Sequence, residues 1–249
     1  MLVLAAGQGK RMRSDLPKVL HPVCGRPMLH YVLSAAESVG ADRRVVVLGH
    51  RAEEVIPHVP EGWLVALQHQ PLGTGHAVLS AESLILPGLM LVMPGDTPLL
   101  TGEVLVQFLE AHRQSGAEAS VMTMLLDSPA GYGRILRDSE GWVAGIVEEA
   151  DATPLQRQIK EANAGVYLLP SQASLVLLRN IGTDNSQKEM YLTDVISALR
   201  AQGQKVGGVR LSDPAVAFGV NSREDLLAAE GLMRRRQGEE IVGKPGDVS

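Results

Sequence analysis

Strand-like runs alternate with helix-like stretches through the first half of this chain, and that alternation constrains the fold more than any other feature. MLVLAA (1–6), RRVVVLG (43–49), WLVALQ (63–68) and LMLVMPGD (89–96) are short and dominated by Leu, Val, Ala and Met, and turn residues bound them. Such runs read as buried strands. Between them, PMLHYVLSAAESVG (27–40), RAEEVIPHV (51–59), GTGHAVLSAESL (73–84) and TGEVLVQFLEAHRQSG (101–116) carry helical spacing. Pro27 opens the first of these helices, and glycines end the first and the last. Strand–helix alternation implies parallel strands joined by right-handed crossovers. Unbroken apolar strands imply a sheet covered on both faces. The expected fold is therefore α/β, a Rossmann-like mixed, mostly parallel sheet flanked by helices. The second half is less regular. It reads as strands at 118–126, 142–148, 164–169 and 206–211 and helices at 172–180, 191–202 and 222–240, with the tail GKPGDVS expected to fray.

The 249 residues suffice for one large domain with a small appendage, divided here as 1–227 and a C-terminal helix and tail at 228–249. The net charge of −5 argues against a general nucleic-acid binder, which needs an overall basic face. One cysteine, Cys24, excludes an intrachain disulfide and a thiolate metal site, which fits a reducing compartment. No basic, apolar leader precedes the first strand, and no apolar run spans a bilayer, so the expectation is a cytoplasmic protein with no membrane partner.

In open α/β sheets, ligands sit beyond the carboxyl ends of the strands, where strand order reverses. Three loops fall there: AAGQGKRM, LQHQPLGTG and MPGDTPLL. The first is the most suggestive. As a dinucleotide fingerprint it fails, because Met12 stands where the third glycine is needed for close helix packing. As an ATPase-type phosphate loop it also fails, because no Gly-Lys-Ser/Thr follows at the required spacing. Two readings remain open: a tight turn bearing solvated charges, and a glycine loop around a nucleoside triphosphate. In the second, glycines turn backbone N–H groups inward, and Arg11 and Lys18 neutralise phosphates, while Lys10 either adds a contact or points to solvent. Asp96 in GDTP reads equally as a turn residue or a metal ligand. Asn221 and Ser222 each read as the cap of the last helix.

The motifs LAAGQGKRM, SDLPKVL, QPLGTGHA, PGDTPLL, GYGRI, IVEEADAT, EANAGVY, EMYLTDVI and GVNSREDL resemble, in order, those of the N-acetylglucosamine-1-phosphate uridyltransferases, a branch of the sugar-phosphate nucleotidyltransferases. The resemblance implies a nucleotidyltransferase (GT-A-like) fold and transfer of a uridylyl group from UTP to N-acetylglucosamine 1-phosphate. It implies phosphate contacts by Arg11 and Lys18, with Arg11 near the leaving pyrophosphate, and Mg²⁺ held by Asp96 and Asn221. It places Leu4, Ala5, Ala6, Gly7, Gly9, Gln68, Gly73 and Thr74 around the nucleotide, with Thr74 also suited to cap its own helix. Gly133, Glu148 and Asn163 fall around the sugar. Lys10 stands where the family often has a small polar residue. The resemblance further implies a bifunctional protein with a β-helix acetyltransferase half; no hexapeptide repeats occur here, so that half is expected to be absent and the oligomeric state stays open. The alternatives are a nucleotidyltransferase for another base or sugar and a non-catalytic nucleotide-sugar binder.

Overall fold

The computed structural model describes residues 1–236 and 238, and the remainder of the expected 222–240 helix and the tail lie outside them. In chain order the elements are β1 (Leu2–Ala5), β2 (Pro22–Val23), β3 (Arg26–Pro27), α1 (Met28–Glu37), β4 (Val45–Leu48), α2 (Ala52–Val55), β5 (Leu64–Leu67), α3 (Thr74–Ser80), β6 (Leu89–Pro94) and α4 (Gly102–Ser115). There follow β7 (Ala119–Leu125), β8 (Arg134–Arg137), β9 (Val143–Val147), β10 (Glu161–Pro170), α5 (Ser171–Leu178), α6 (Asp194–Ala201), β11 (Val206–Arg210) and α7 (Arg223–Arg236).

The main sheet has the order β11-β7-β10-β6-β1-β4-β5, with β8 and β9 attached beside β10. Along that path β10 alone runs against the others. The sheet is thus mixed and mostly parallel, with helices on both faces. Its central strands are apolar on both sides because each side faces a separate core. Val3, Val46 and Met93 pack with Leu29, Leu33, Leu105 and Phe108 of α1 and α4. Their strand neighbours Leu2, Val45, Val47 and Val92 pack with Val78, Leu175, Val195 and Ile196 of α3, α5 and α6. Period-2 alternation thus becomes two cores.

The chain leaves β1 for β4 and β5 on one side and returns to β6 on the other. The reversal of strand order therefore falls between β1 and β6, and the cleft opens beyond their carboxyl ends. The structure departs from the sequence reading in several places, among them β8, where no strand is expected. The expected 73–84 helix ends at Ser80 and resumes as a 3-10 turn at Glu82–Leu84. The 191–202 helix starts at Asp194. The segment after residue 16, with Pro17, Pro22 and Pro27, holds a 3-10 turn and the β2–β3 hairpin, and Val23 and Met28 seat α7 through Ala229 and Met233. Strand β10 is longer than 164–169, and a bulge lies between Asn163 and Tyr167.

Candidate active site

The loop after β1 is shaped by Gly9. It adopts φ +62°, and a Cβ there would lie 2.7 Å from the Lys18 Cβ. The glycine loop therefore rests directly on the Lys18 stem. Met12, buried, closes the turn by donating its N–H to the Gly9 carbonyl at 2.8 Å. Arg223 of α7 holds the loop from outside: Nε donates to the Met12 carbonyl at 3.0 Å and Nη2 to the Arg13 carbonyl at 3.0 Å. Lys10 and Arg11 are exposed, line the cleft, and form no ion pair among the described residues.

Lys18 turns inward. Its Nζ contacts the Asp96 carboxylate and donates to Asn221 Oδ1 at 2.7 Å. Asp96 follows β6, and Asn221 precedes α7. Ser222, not Asn221, caps α7: its Oγ accepts from the Asp225 N–H, while Asp225 Oδ2 accepts from the N–H groups of Asn221 and Ser222. This reciprocal capping box frees the Asn221 amide to face Lys18. Two hard oxygens converge where a cation already sits, and that donor pair fits a hard divalent ion that fills its other positions with water and phosphate oxygens. Among the described residues no three His, Cys, Asp or Glu side chains cluster as a metal site.

Gln68, at the end of β5, is buried. Its Nε2 donates to the Gly73 carbonyl at 3.0 Å and faces His76 Nδ1 at 3.1 Å. Because Gly73 O can only accept, the amide nitrogen must be the atom facing it. Gly73 has φ +109°, and a Cβ there would lie 2.5 Å from the Met190 carbonyl. Thr74 does not cap its helix; its Oγ1 accepts from the Leu192 N–H at 3.0 Å. His76 pairs its ring nitrogen with Gln68.

On the other side, Gly133 O accepts from the Asn163 N–H at 2.9 Å. Asn163 Nδ2 donates to Tyr167 Oη at 2.6 Å, and its Oδ1 accepts from the Gly165 N–H at 2.9 Å. Glu148 accepts from Thr193 Oγ1 at 2.9 Å. Burial pushes the Glu148 carboxyl above its ordinary range; the Thr193 hydrogen bond opposes this, and Asp194, Asp151 and Glu189 add to it.

The residues that the family resemblance assigns to the site all line one cleft of about 850 Å³: Leu4 to Gly9 with Arg11, Lys18 and Asp96 near the strand-order reversal, Gln68, Gly73 and Thr74 at one end, Gly133, Glu148 and Asn163 along the second half, and Asn221 closing it. Sequence reasoning missed Arg223, Tyr167 and Thr193, which hold these residues in place. The motif YLTD was the only signal for Thr193.

Fold and cleft together define a Rossmann-like α/β protein with a cleft at the reversal of strand order, beside a cation-lined glycine loop. The chain belongs to the family whose profile is described as the MobA-like NTP transferase domain, matched over residues 1–148. Nucleotidyltransferases of this kind typically use a divalent metal. The chain is 46% identical over 241 residues to the bifunctional protein GlmU of Streptococcus suis, covering 96% of this chain and 52% of that protein. It is 46% identical over 246 residues to the bifunctional protein GlmU of Mycobacterium bovis, covering 95% and 50%. The chain thus spans about half the length of the curated relatives it matches. These relatives bear out the family resemblance read from the motifs. A crystal structure of UDP-glucose pyrophosphorylase complexed with UDP-glucose shares the fold, with TM-score 0.76, 19% identity, and coverage of 94% of this chain and 98% of that one. Among the described residues no helix is long and apolar enough to cross a membrane.

Proposed function

We propose that the chain is an Mg²⁺-dependent uridyltransferase, converting UTP and N-acetyl-α-D-glucosamine 1-phosphate to UDP-N-acetylglucosamine and pyrophosphate. The observation that carries this reading is the convergence of the glycine loop, the Lys18–Asp96–Asn221 cluster and the Glu148–Asn163 wall on one cleft. The order of motifs supplies the base and the sugar.

A phosphate oxygen of the sugar phosphate attacks the α-phosphorus of UTP in line. The new P–O bond forms as the α–β bridging bond breaks, and pyrophosphate departs with the bonding electrons. The nucleophile is already an anion near neutral pH, so no general base is required. What the protein must supply is alignment and charge neutralisation. Lys18 neutralises the reacting phosphates, and Arg11, free to reach across the cleft, neutralises the leaving pyrophosphate with its planar fork. Asp96 and Asn221 would hold Mg²⁺, which supplies further neutralisation of phosphate charge. Gln68 reads the base: with both amide hydrogens committed to Gly73 and His76, its Oε1 is left to accept from an N–H donor such as uracil N3. Cytosine has no hydrogen on that nitrogen. Ala5, Ala6 and Gly7 give the uridine a smooth backbone surface. Glu148 accepts from sugar hydroxyls, and Asn163 meets the acetamido group.

Pyrophosphate release from a panel of nucleoside triphosphates and sugar 1-phosphates, with and without EDTA, tests the reading. UTP with N-acetylglucosamine 1-phosphate should be the best pair, and EDTA should abolish its turnover. A preference for glucose 1-phosphate would assign a different sugar. Binding without turnover on any pair would make the chain a nucleotide-sugar binder.

A further inference from the structure

The turn that carries Lys10 and Arg11 is bracketed by two left-handed residues, Gly9 at φ +62° and Arg13 at φ +47°. Gly9 takes that conformation without a steric penalty. Arg13 carries a Cβ and takes it at a cost that its surroundings must hold. The holding group comes from 210 positions along the chain. Arg223 Nη2 donates to the Arg13 carbonyl and Nε to the Met12 carbonyl, each at 3.0 Å. Among the described residues Arg223 forms no ion pair, so its fork is spent on these two carbonyls. Arg223 opens α7 and stands two residues beyond Asn221, whose Oδ1 accepts from Lys18 Nζ. The capping box of Ser222 and Asp225 fixes the backbone of Asn221 and Ser222. One rigid helix start therefore presents Asn221 to the cleft and grips the far end of the glycine loop.

Resting on the functional reading above, we propose that Arg223 is a positioning residue for the departure of pyrophosphate. By holding Met12 and Arg13 it aims Arg11 at the leaving group and keeps that cation in register with Asn221 and Lys18. Arg11 is exposed and pairs with no carboxylate among the described residues, so the backbone that carries it sets its aim. Arg223 is absent from the lining of the cleft and touches no reacting atom. In-line departure tolerates little misalignment, so a displaced turn loses function without losing the fold.

The reverse reaction tests it, because there pyrophosphate is a substrate with a Michaelis constant of its own. UDP-N-acetylglucosamine and pyrophosphate are supplied in Mg²⁺ buffer, and UTP formation is measured. Arg223→Ala should raise the constant for pyrophosphate roughly tenfold and leave that for UDP-N-acetylglucosamine within about twofold of the unaltered protein. Arg223→Lys keeps the charge but cannot bridge two carbonyls with a fork, so it should show most of the same defect. Arg11→Ala should weaken pyrophosphate as well, and adding Arg223→Ala to it should change the constant by less than about twofold, because Arg223 acts through Arg11. Arg13→Gly, which takes positive φ freely, should return about half or more of the loss in Arg223→Ala. If Arg223→Ala fails to fold, Arg223→Lys carries the same comparisons. Losses that add, equal rises for both substrates, no recovery from Arg13→Gly, or an Arg223→Lys protein that matches the unaltered one overturn the positioning role. An unaltered protein that forms no UTP overturns the functional reading itself.

Discussion

Along the first-half side of the cleft, built on the carboxyl ends of β1 and β6, the groups facing the ligand are a glycine loop and cations, of which Lys10 and Arg11 have no ion-pair partner among the described residues. Along the second-half side, Gly133, Glu148 and Asn163 are each already bonded to another part of the protein. On the proposed function, the difference matches what each side would bind. A triphosphate brings its own charge, so unpaired cations need no partner until it arrives. A neutral sugar ring offers only directional hydroxyls and an amide, and those demand polar groups fixed in advance, because an unsatisfied buried polar group is costly.

The largest expected effect breaks the first side. Lys18→Ala and Asp96→Ala should each lower turnover by roughly 10³-fold or more while leaving the melting temperature little changed. Pyrophosphate release and thermal melting check both halves of the statement; near-normal release from either variant removes that residue from the mechanism.

The two sides also differ in what a glycine is for. Gly73→Ala forces a side chain into positive φ and against the Met190 carbonyl, which should cost about 2 kcal/mol or more, or roughly 4–8 °C in melting temperature. Gly7 has open space within 4 Å of the position a methyl group would take, and no positive φ. Gly7→Ala should leave melting unchanged and raise the Michaelis constant for UTP alone. Equal melting losses in the two variants would erase the distinction.

On the sugar side, pH separates stability from binding. Burial raises the Glu148 carboxyl above the ordinary glutamate range. Its contribution to stability is therefore complete below that ordinary range and is lost as pH rises through the raised value. Binding runs the other way, because an acceptor for sugar hydroxyls works best ionised. Relative to Glu148→Gln, whose side chain does not titrate, the protein's melting temperature should fall as pH rises from the acid range towards neutrality. Its Michaelis constant for the sugar phosphate should climb as pH falls, starting at a pH where an ordinary glutamate is still charged. Melting curves and initial rates across that range measure both trends.

The same contrast explains what the sequence made legible. Strands β1, β4 and β6 announce themselves because both faces are apolar, a local property. Strand β8 does not: Arg134–Arg137 offers only Ile135 and Leu136 between two arginines, and its partners are set by β9 and β10. Tyr191–Thr193 carries helical spacing, but bonds to Thr74, Asp151 and Glu148 keep it out of α6. Within the cleft, the lining residues were found through short motifs. The holding roles of Arg223 and Thr193 were not, although both stand in such motifs, since Arg223 reaches Met12 across 211 positions and Thr193 reaches Glu148 across 45. No local window contains such a pair.

The smallest expected effect sharpens the comparison most. Lys10 lies beside Arg11 on an exposed 3-10 turn lining the cleft. If it serves the nucleotide, it does so as a flexible point charge near solvent, and such a charge is worth about 0.5–1 kcal/mol and is screened by salt. Lys10→Ala should then raise the Michaelis constant for UTP by roughly two- to fivefold at low ionic strength. The increase should shrink as salt is added, with turnover number and melting unchanged. A conformational role would give an increase indifferent to salt. Because Arg11 stays in place in that variant, the residual salt dependence of UTP binding measures how far the first-half side works through fields rather than through fixed contacts.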